Sequence, residues 1–416
     1  MNKTALSIAV GSLLLSQGQA ALAAVSEAEF EALKAQFAAM SERMTALEAE
    51  NERLQGLTAK TVPVIDLDQE EVDDLRTFRE KASWTEKTAW KGDFRYRYEE
   101  IDAEFDDDER SRHRIRARAA LVSQLPSNVE VGLGLATGGD DPVSTNQTLG
   151  GGGSTKEIRL DLAYFKWSAT EHISLQAGKY KNPWREPQKS ALLFDGDYRP
   201  EGLHLLFENE HFFAQFEGTW IESDSRNDDG DDFAWGVQGG TSFGPFNAAI
   251  GYLEWPTRGR RAIFDAEFFG NSSVGNSLIA QRYLYNYDTI TAAADLTFDV
   301  ADLPLSFYVD YVHNTDADDL DTGYLAGVKL GKTKRRGSWH VQYQYQVLEA
   351  DATLGLVTDS DFAGGGTDNK GHKISGKYAI NDRWQLGVTY FDTQRGVDLG
   401  DNEDYKRLML DTEFKY

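Results

Sequence analysis

Arg112, Arg114, Arg116 and Arg118 alternate with His113, Ile115 and Ala117, and just upstream Arg95 and Arg97 alternate with Phe94, Tyr96 and Tyr98. In an extended chain successive side chains point to opposite faces, so six guanidiniums would line one face of two neighbouring strands. A guanidinium stays charged and offers forked donors to carboxylate, phosphate or sulfate. Along an aqueous passage such a stripe would hand anions through several weak sites. The competing chemistry is neutralisation. Asp93 and Glu99 share the arginines' face of the first strand, and Glu157 and Asp161 flank a further candidate, Arg159. Paired arginines would leave only a transverse field with mild selectivity. Both outcomes are open on the sequence.

A second group of charges lies in residues 181–201, where Lys181, Arg185, Lys189 and Arg199 face Glu186, Asp195, Asp197 and Glu201 around the apolar run Ala191, Leu192, Leu193 and Phe194. That mixture suits a segment packed against an inner wall, or one capping a mouth. Catalytic readings find no support. The seven histidines are scattered, and no HExxH, GxSxG or phosphate loop occurs. There is no cysteine for a thiolate site or nucleophile. The acidic run ending at Asp232 lacks the spacing and closing glutamate of a calcium loop. Neither enzyme activity nor a cofactor nor a metal site is expected.

Positioning such a stripe requires long strands, and the chain supplies them. In the last one, Leu408, Leu410, Thr412, Phe414 and Tyr416 alternate with Arg407, Met409, Asp411, Glu413 and Lys415. Similar segments start near Trp90, Arg112, Val129, Glu157, His172, Gly202, Phe212, Asp232, Phe246, Asp288, Leu305, Thr322, Ser338, Asn369, Arg383 and Asp404. Each runs about 9–12 residues, the length of a tilted bilayer-crossing strand. Sixteen strands leave fifteen connections, which sort into seven short turns and eight long loops in alternation. This is the layout of an antiparallel transmembrane β-barrel with both chain ends on the short-turn side. Trp90, Trp167, Trp220, Trp339, Trp384 and Tyr416 fall at strand ends, as interface girdles require. Opposite faces such as His340, Gln342, Gln344 and Gln346 imply a wet lumen.

The rest of the chain fits export to an envelope. Residues 1–24 read as a signal peptide, with Lys3, an apolar stretch at 5–15 and Ala21, Ala23 and Ala24 before cleavage. In residues 25–57, Phe30, Leu33, Phe37, Met40, Met44, Leu47, Asn51 and Leu54 keep strict three-four spacing, a heptad seam for a coiled-coil helix ended by Gly56. Residues 58–88 read as a linker and 89–416 as the barrel. The 416 residues carry 43 Lys+Arg against 68 Asp+Glu, a net charge of −25 that argues against nucleic acid as a partner. No apolar run is long enough for a membrane-spanning helix. Eighteen Tyr, 22 Phe and 9 Trp are too many for a disordered acidic chain. The acids concentrate in residues 99–109, 224–232, 316–321 and 359–368, read as solvated outer loops that could bridge through divalent cations to lipopolysaccharide.

In layout the chain resembles Gram-negative outer-membrane porins, most closely the phosphate-selective porin O/P type and its relatives. The run Gly178, Lys179, Tyr180, Lys181, Asn182 and Pro183 is similar to the glycine-basic-aromatic segment leading into those porins' third long loop, and Tyr416 matches the terminal aromatic assembly signal. The resemblance implies a trimeric sixteen-stranded barrel with a periplasmic helical segment, an inward-folded loop at 181–201, and passive solute diffusion. It also implies an arginine ladder, in agreement with the stripe. The alternative of another class is a structural protein whose coiled coil tethers the envelope to peptidoglycan or a periplasmic partner.

Overall fold

The computed structural model describes residues 27–60, 73–74, 77, 86–223, 232–277 and 280–416. The residues read as a signal peptide, most of those read as a linker and the acidic run at 224–231 lie outside the described residues. Two compact units form, residues 1–80 and 81–416. In the first, helix α1 spans Glu27–Lys60. Its sequence is rich in Ala, Glu and Leu, all good helix formers, and Glu50 pairs with Arg53 one turn on at 2.7 Å. Gly56 does not end it, for a glycine costs a helix only about 1 kcal/mol and the following Leu57 and Lys60 carry it on. Met40, Met44 and Leu47 of the heptad seam are 69%, 64% and 63% exposed.

In the second unit sixteen long strands close on themselves. They are β1 Thr88–Ala103, β2 Arg110–Leu125, β3 Val129–Thr137, β4 Ile158–Ser168, β5 Ile173–Lys179, β6 Glu201–Glu208, β7 Phe212–Glu222 and β8 Asp232–Phe243, followed by β9 Phe246–Trp255, β10 Tyr287–Val300, β11 Leu303–Asn314, β12 Thr322–Gly331, β13 Trp339–Leu348, β14 Asn369–Ala379, β15 Trp384–Arg395 and β16 Glu403–Lys415. Every start lies within two residues of the expected one. Neighbours in sequence pair antiparallel, and β1 pairs with β16 in the register Phe94↔Phe414 to close the barrel. Closure leaves no free sheet edge. Outward faces are apolar as the alternation requires: Leu203, Leu205, Val309, Val341 and Leu410 are all exposed.

The lumen differs from the wet tube read from the sequence. From β8 to β13 the inward side chains include Leu253, Trp255, Tyr287, Tyr308, Val312, Leu325 and Leu348, all buried. Three long loops, residues 180–200, 256–286 and 349–368, supply Leu192, Leu193, Phe194, Tyr283, Leu354, Leu356 and Val357 to the same cluster. The β8–β13 side of the barrel is therefore filled by an apolar core. The polar faces Gln342, Gln344 and Gln346 mask this in the sequence, because Gln344 is spent on hydrogen bonds to Tyr308 and to the Ser190 carbonyl. Residues 359–368 are likewise not a solvated loop: Phe362 and Ala363 are buried and Asp368 is 4% exposed, accepting the backbone N–H groups of Asp398 and Leu399.

Candidate functional site

Two residues before loop 180–200, Gly178 of β5 has a φ of +115°, which suits glycine, and a Cβ there would meet the Ala163 carbonyl at 2.1 Å. The chain thus turns off β5 into the lumen. Trp184 then lies against the inner wall at Gly236 and Gly251, where a Cβ would come within 3.1 and 2.5 Å of its ring. Further on, Ser190 Oγ donates to Asp310 Oδ2 of β11 at 2.6 Å. Leu192, Leu193 and Phe194 follow, at 0%, 1% and 5% exposure. Burying each contributes about 1.5–3 kcal/mol, so the loop's path is set by hydrophobic anchoring. It is tied to loop 349–368 by the Asp195 N–H to Val357 carbonyl bond at 2.8 Å and by Ser360, whose N–H and Oγ both donate to Asp195 Oδ2 at 2.9 Å.

Burial, with the carboxylates of Asp359 and Asp197 nearby, pushes the Asp195 carboxyl up to about 8. The folded chain therefore holds a proton that the unfolded chain loses near pH 4, and stability falls as pH rises from there towards 8. The thermal midpoint is expected to be lower above pH 8 than below it, and Asp195→Asn to remove that part of the difference. An identical pH profile in the two proteins would refute the coupling.

The arginine stripe divides into two levels. Towards the long-loop end, Arg97 binds Asp411 at 2.8 Å and Asp361 at 2.9 Å. Glu99, fully buried, takes Arg112, Arg407 and, at 3.5 Å, Arg114. Arg407 also reaches Asp361 at 2.9 Å. At Asp361 burial opposes ionisation, but Arg407, Arg97 and Arg95 outweigh it and hold the carboxyl well below its usual range. Nearer the short-turn end, Asp93 takes Arg116 and Arg118, each at 2.8 Å. Asp197 of the inward loop takes Arg118 at 2.8 Å and lies 3.9 Å from Arg116. At Asp197 too, burial opposes ionisation and the arginines prevail, holding its carboxyl low. Arg95 alone of the six has no carboxylate partner among the described residues; it donates to Asn146 Oδ1 at 2.6 Å, and its Nε is buried without a partner.

Beside this lower level a cavity of about 730 Å³ opens between the β1–β5 wall, β14, β16 and the inward loop. Ten basic side chains line it against five acidic ones. Asp93, Asp161, Asp197 and Glu413 are engaged by Arg116, Arg118, Arg199, Lys377 and Lys415. Glu130 accepts from Tyr164 Oη at 2.9 Å and Gln124 Nε2 at 2.7 Å. Lys91, Arg95, Lys166, Lys181 and Lys189 remain without an ion-pair partner among the described residues.

Of the candidate residues, Arg95, Arg116, Arg118, Lys181, Lys189 and Arg199 meet here. Arg97, Arg112 and Arg114 are held in the upper network and do not line this cavity. Arg185 lies on the other side of the loop, paired to Glu208 at 2.7 Å and stacked over Phe213. Arg159 pairs with Glu157 at 2.8 Å, both more than half exposed at the long-loop end of β4. Lys91 and Lys166 were missed because single lysines on strands carry no pattern. Their inward parity was nonetheless readable from the outward Trp90 and Trp167 beside them.

Comparison with known proteins follows the same lines. The profile of a family described as "Putative porin" matches residues 103–288 and 262–400. Among solved structures, OprB of Pseudomonas putida at high pH superposes with a TM-score of 0.55 at 10% identity, covering 82% of this chain and 97% of that one. A mutant Rh. blastica porin gives 0.49 at 10% identity over 79% of this chain and all of that one. A loop-deletion mutant of the Vibrio cholerae outer-membrane protein OmpT gives 0.45 at 11% identity, again over 79% of this chain and all of that one. The curated proteins contain no sequence match.

Proposed function

This chain belongs to the family described as "Putative porin", and from that membership we propose that it is an outer-membrane porin through which small hydrophilic solutes diffuse passively, with a preference for anions. The observation that carries the preference is the cavity whose five unpaired cations outnumber any free acid on its wall. In this reading the arginine stripe acts through Arg95 and through Arg116 and Arg118 where they line the cavity, while Arg97, Arg112 and Arg114 hold the structure. Diffusion past fixed charges needs no cofactor. The outward apolar faces meet lipid, the acidic long loops meet lipopolysaccharide, and the N-terminal helix lies in the periplasm. The exposed Met40, Met44 and Leu47 on a strict heptad seam favour self-association there, consistent with a homotrimer. The same seam supports the second reading, a tether in which α1 engages peptidoglycan or a periplasmic partner.

One bilayer experiment separates these. The full chain and a chain lacking residues 27–57 are both expected to conduct in planar bilayers, with a reversal potential of anionic sign in a salt gradient. A Lys91→Gln, Lys166→Gln, Lys181→Gln, Lys189→Gln variant removes four charges within about a Debye length of the path and should shift the permeability ratio towards cations by roughly threefold or more. An unchanged ratio would remove the anion preference. Loss of envelope integrity on deletion, in a protein that conducts nothing, would favour the tether.

A further inference from the structure

We infer that the turn joining β12 to β13 is a docking surface for anionic phospholipid headgroups of the inner leaflet. The inference rests on the outer-membrane reading above. Residues 332–338 read Lys, Thr, Lys, Arg, Arg, Gly and Ser, so one turn carries four positive charges in a chain whose net charge is −25. The other short turns, at 126–128, 169–172, 209–211, 244–245, 301–302 and 380–383, are each neutral or carry a single negative charge. Lys332, Lys334, Arg335 and Arg336 are all exposed, and none has an ion-pair partner among the described residues.

The turn is ordered without using those side chains. Ser338 Oγ accepts the N–H groups of Lys334 and Arg335 at 2.8 and 3.0 Å and donates to the Arg335 carbonyl at 2.5 Å. Gly337 N–H donates to the Ala379 carbonyl at 2.8 Å, and Arg336 N–H to Asp382 Oδ1 at 3.3 Å. Thr333 Oγ1 is within 2.8 Å of His340 Nδ1. Backbone and hydroxyl groups thus fix the loop while four cationic side chains stay unpaired. Holding like charges together is unfavourable unless an anion shares them.

Position selects the anion. Directly above the turn, on the outward face, Trp339 pairs with Tyr378 across β13 and β14, and further round the same end of the barrel Trp384 of β15 stacks on Phe414 of β16 with ring centroids 5.3 Å apart. Aromatic side chains of this kind mark the boundary between hydrocarbon and headgroup. Charges one turn beyond that boundary lie at the level of lipid phosphates, where clustered Lys and Arg attract anionic lipid. A soluble periplasmic polyanion would need no such alignment with the aromatic girdle.

The test uses the full chain reconstituted in phosphatidylcholine bilayers, with spin-labelled phosphatidylglycerol as probe. Wild type is expected to hold the anionic lipid more tightly than spin-labelled phosphatidylcholine, in a salt-sensitive way. The K332Q/K334Q/R335Q/R336Q variant should lose about tenfold of that preference with its conductance unchanged, and K332R/K334R should keep it. An unchanged preference in the quadruple variant overturns the inference, as does displacement of the lipid by equimolar inorganic phosphate, which would mark a free-anion site. A wild-type chain that never conducts or inserts defeats the porin reading, and the lipid surface with it. Conductance without lipid selectivity defeats the lipid surface alone.

Discussion

Glu99→Ala is expected to destabilise the folded barrel by about 3–5 kcal/mol, the cost of stripping the counter-charge from a buried ionic cluster. Glu99 is fully buried, and Arg407, 2% exposed, shares it with Arg112 and Arg114. Without it Asp361 would be the one carboxylate left to Arg407, and Arg97 already draws on that group. Three guanidiniums would then repel one another where water cannot reach them freely. Urea unfolding in detergent should show the loss as a lower midpoint. Pairing the change with Arg407→Met should recover part of it, because the uncompensated charge is then removed as well. A midpoint within error of wild type would mean that water screens the cluster.

The second large effect is expected at the apolar anchor of the inward loop. A Leu192→Ala, Leu193→Ala, Phe194→Ala variant removes side chains that pack among Tyr308, Val312, Leu325 and Leu348 of the far wall. Core truncations of this kind cost about 2–5 kcal/mol each. The remaining ties, the hydrogen bonds through Ser190 and Asp195 and the ion pairs of Asp197 and Arg199, weaken once water reaches them, so the loop is expected to leave the lumen while the barrel stays closed. Single-channel conductance should rise and become noisy, and residues 181–200 should become sensitive to protease. Wild-type conductance with the loop still protected would show that the hydrogen bonds through Ser190 and Asp195 suffice.

Strand positions were legible because alternation over many residues is a strong signal, and a polar residue has only one place to go when the other face must be apolar. Loop geometry was less so. Leu192, Leu193 and Phe194 announced a packed segment but not its partner, since the partner residues Tyr308, Leu325 and Leu348 sit on strands that already have an apolar outward face. Nothing in a local pattern distinguishes an inward tyrosine that meets water from one that meets a loop. The six arginines were likewise visible as a row, while their pairing was not. Asp361 and Asp411 lie more than 240 residues away in sequence; closure of the barrel between β1 and β16 brings Asp411 into reach, and the inward fold of loop 349–368 brings Asp361.

The off-centre lumen divides labour along the chain. The β1–β5 wall, with β16, presents the charged surface a solute would meet, whereas β8–β13 mainly anchor the plug that narrows the remaining space. Substitutions at Lys91 or Lys166, which carry no tie to the inward loop, can therefore retune what passes without unseating the obstruction, and those among Tyr308, Val312, Leu325 and Leu348 can change the bore without removing a charge from the wall. Such separability would let related barrels diverge in cargo and in aperture by independent steps.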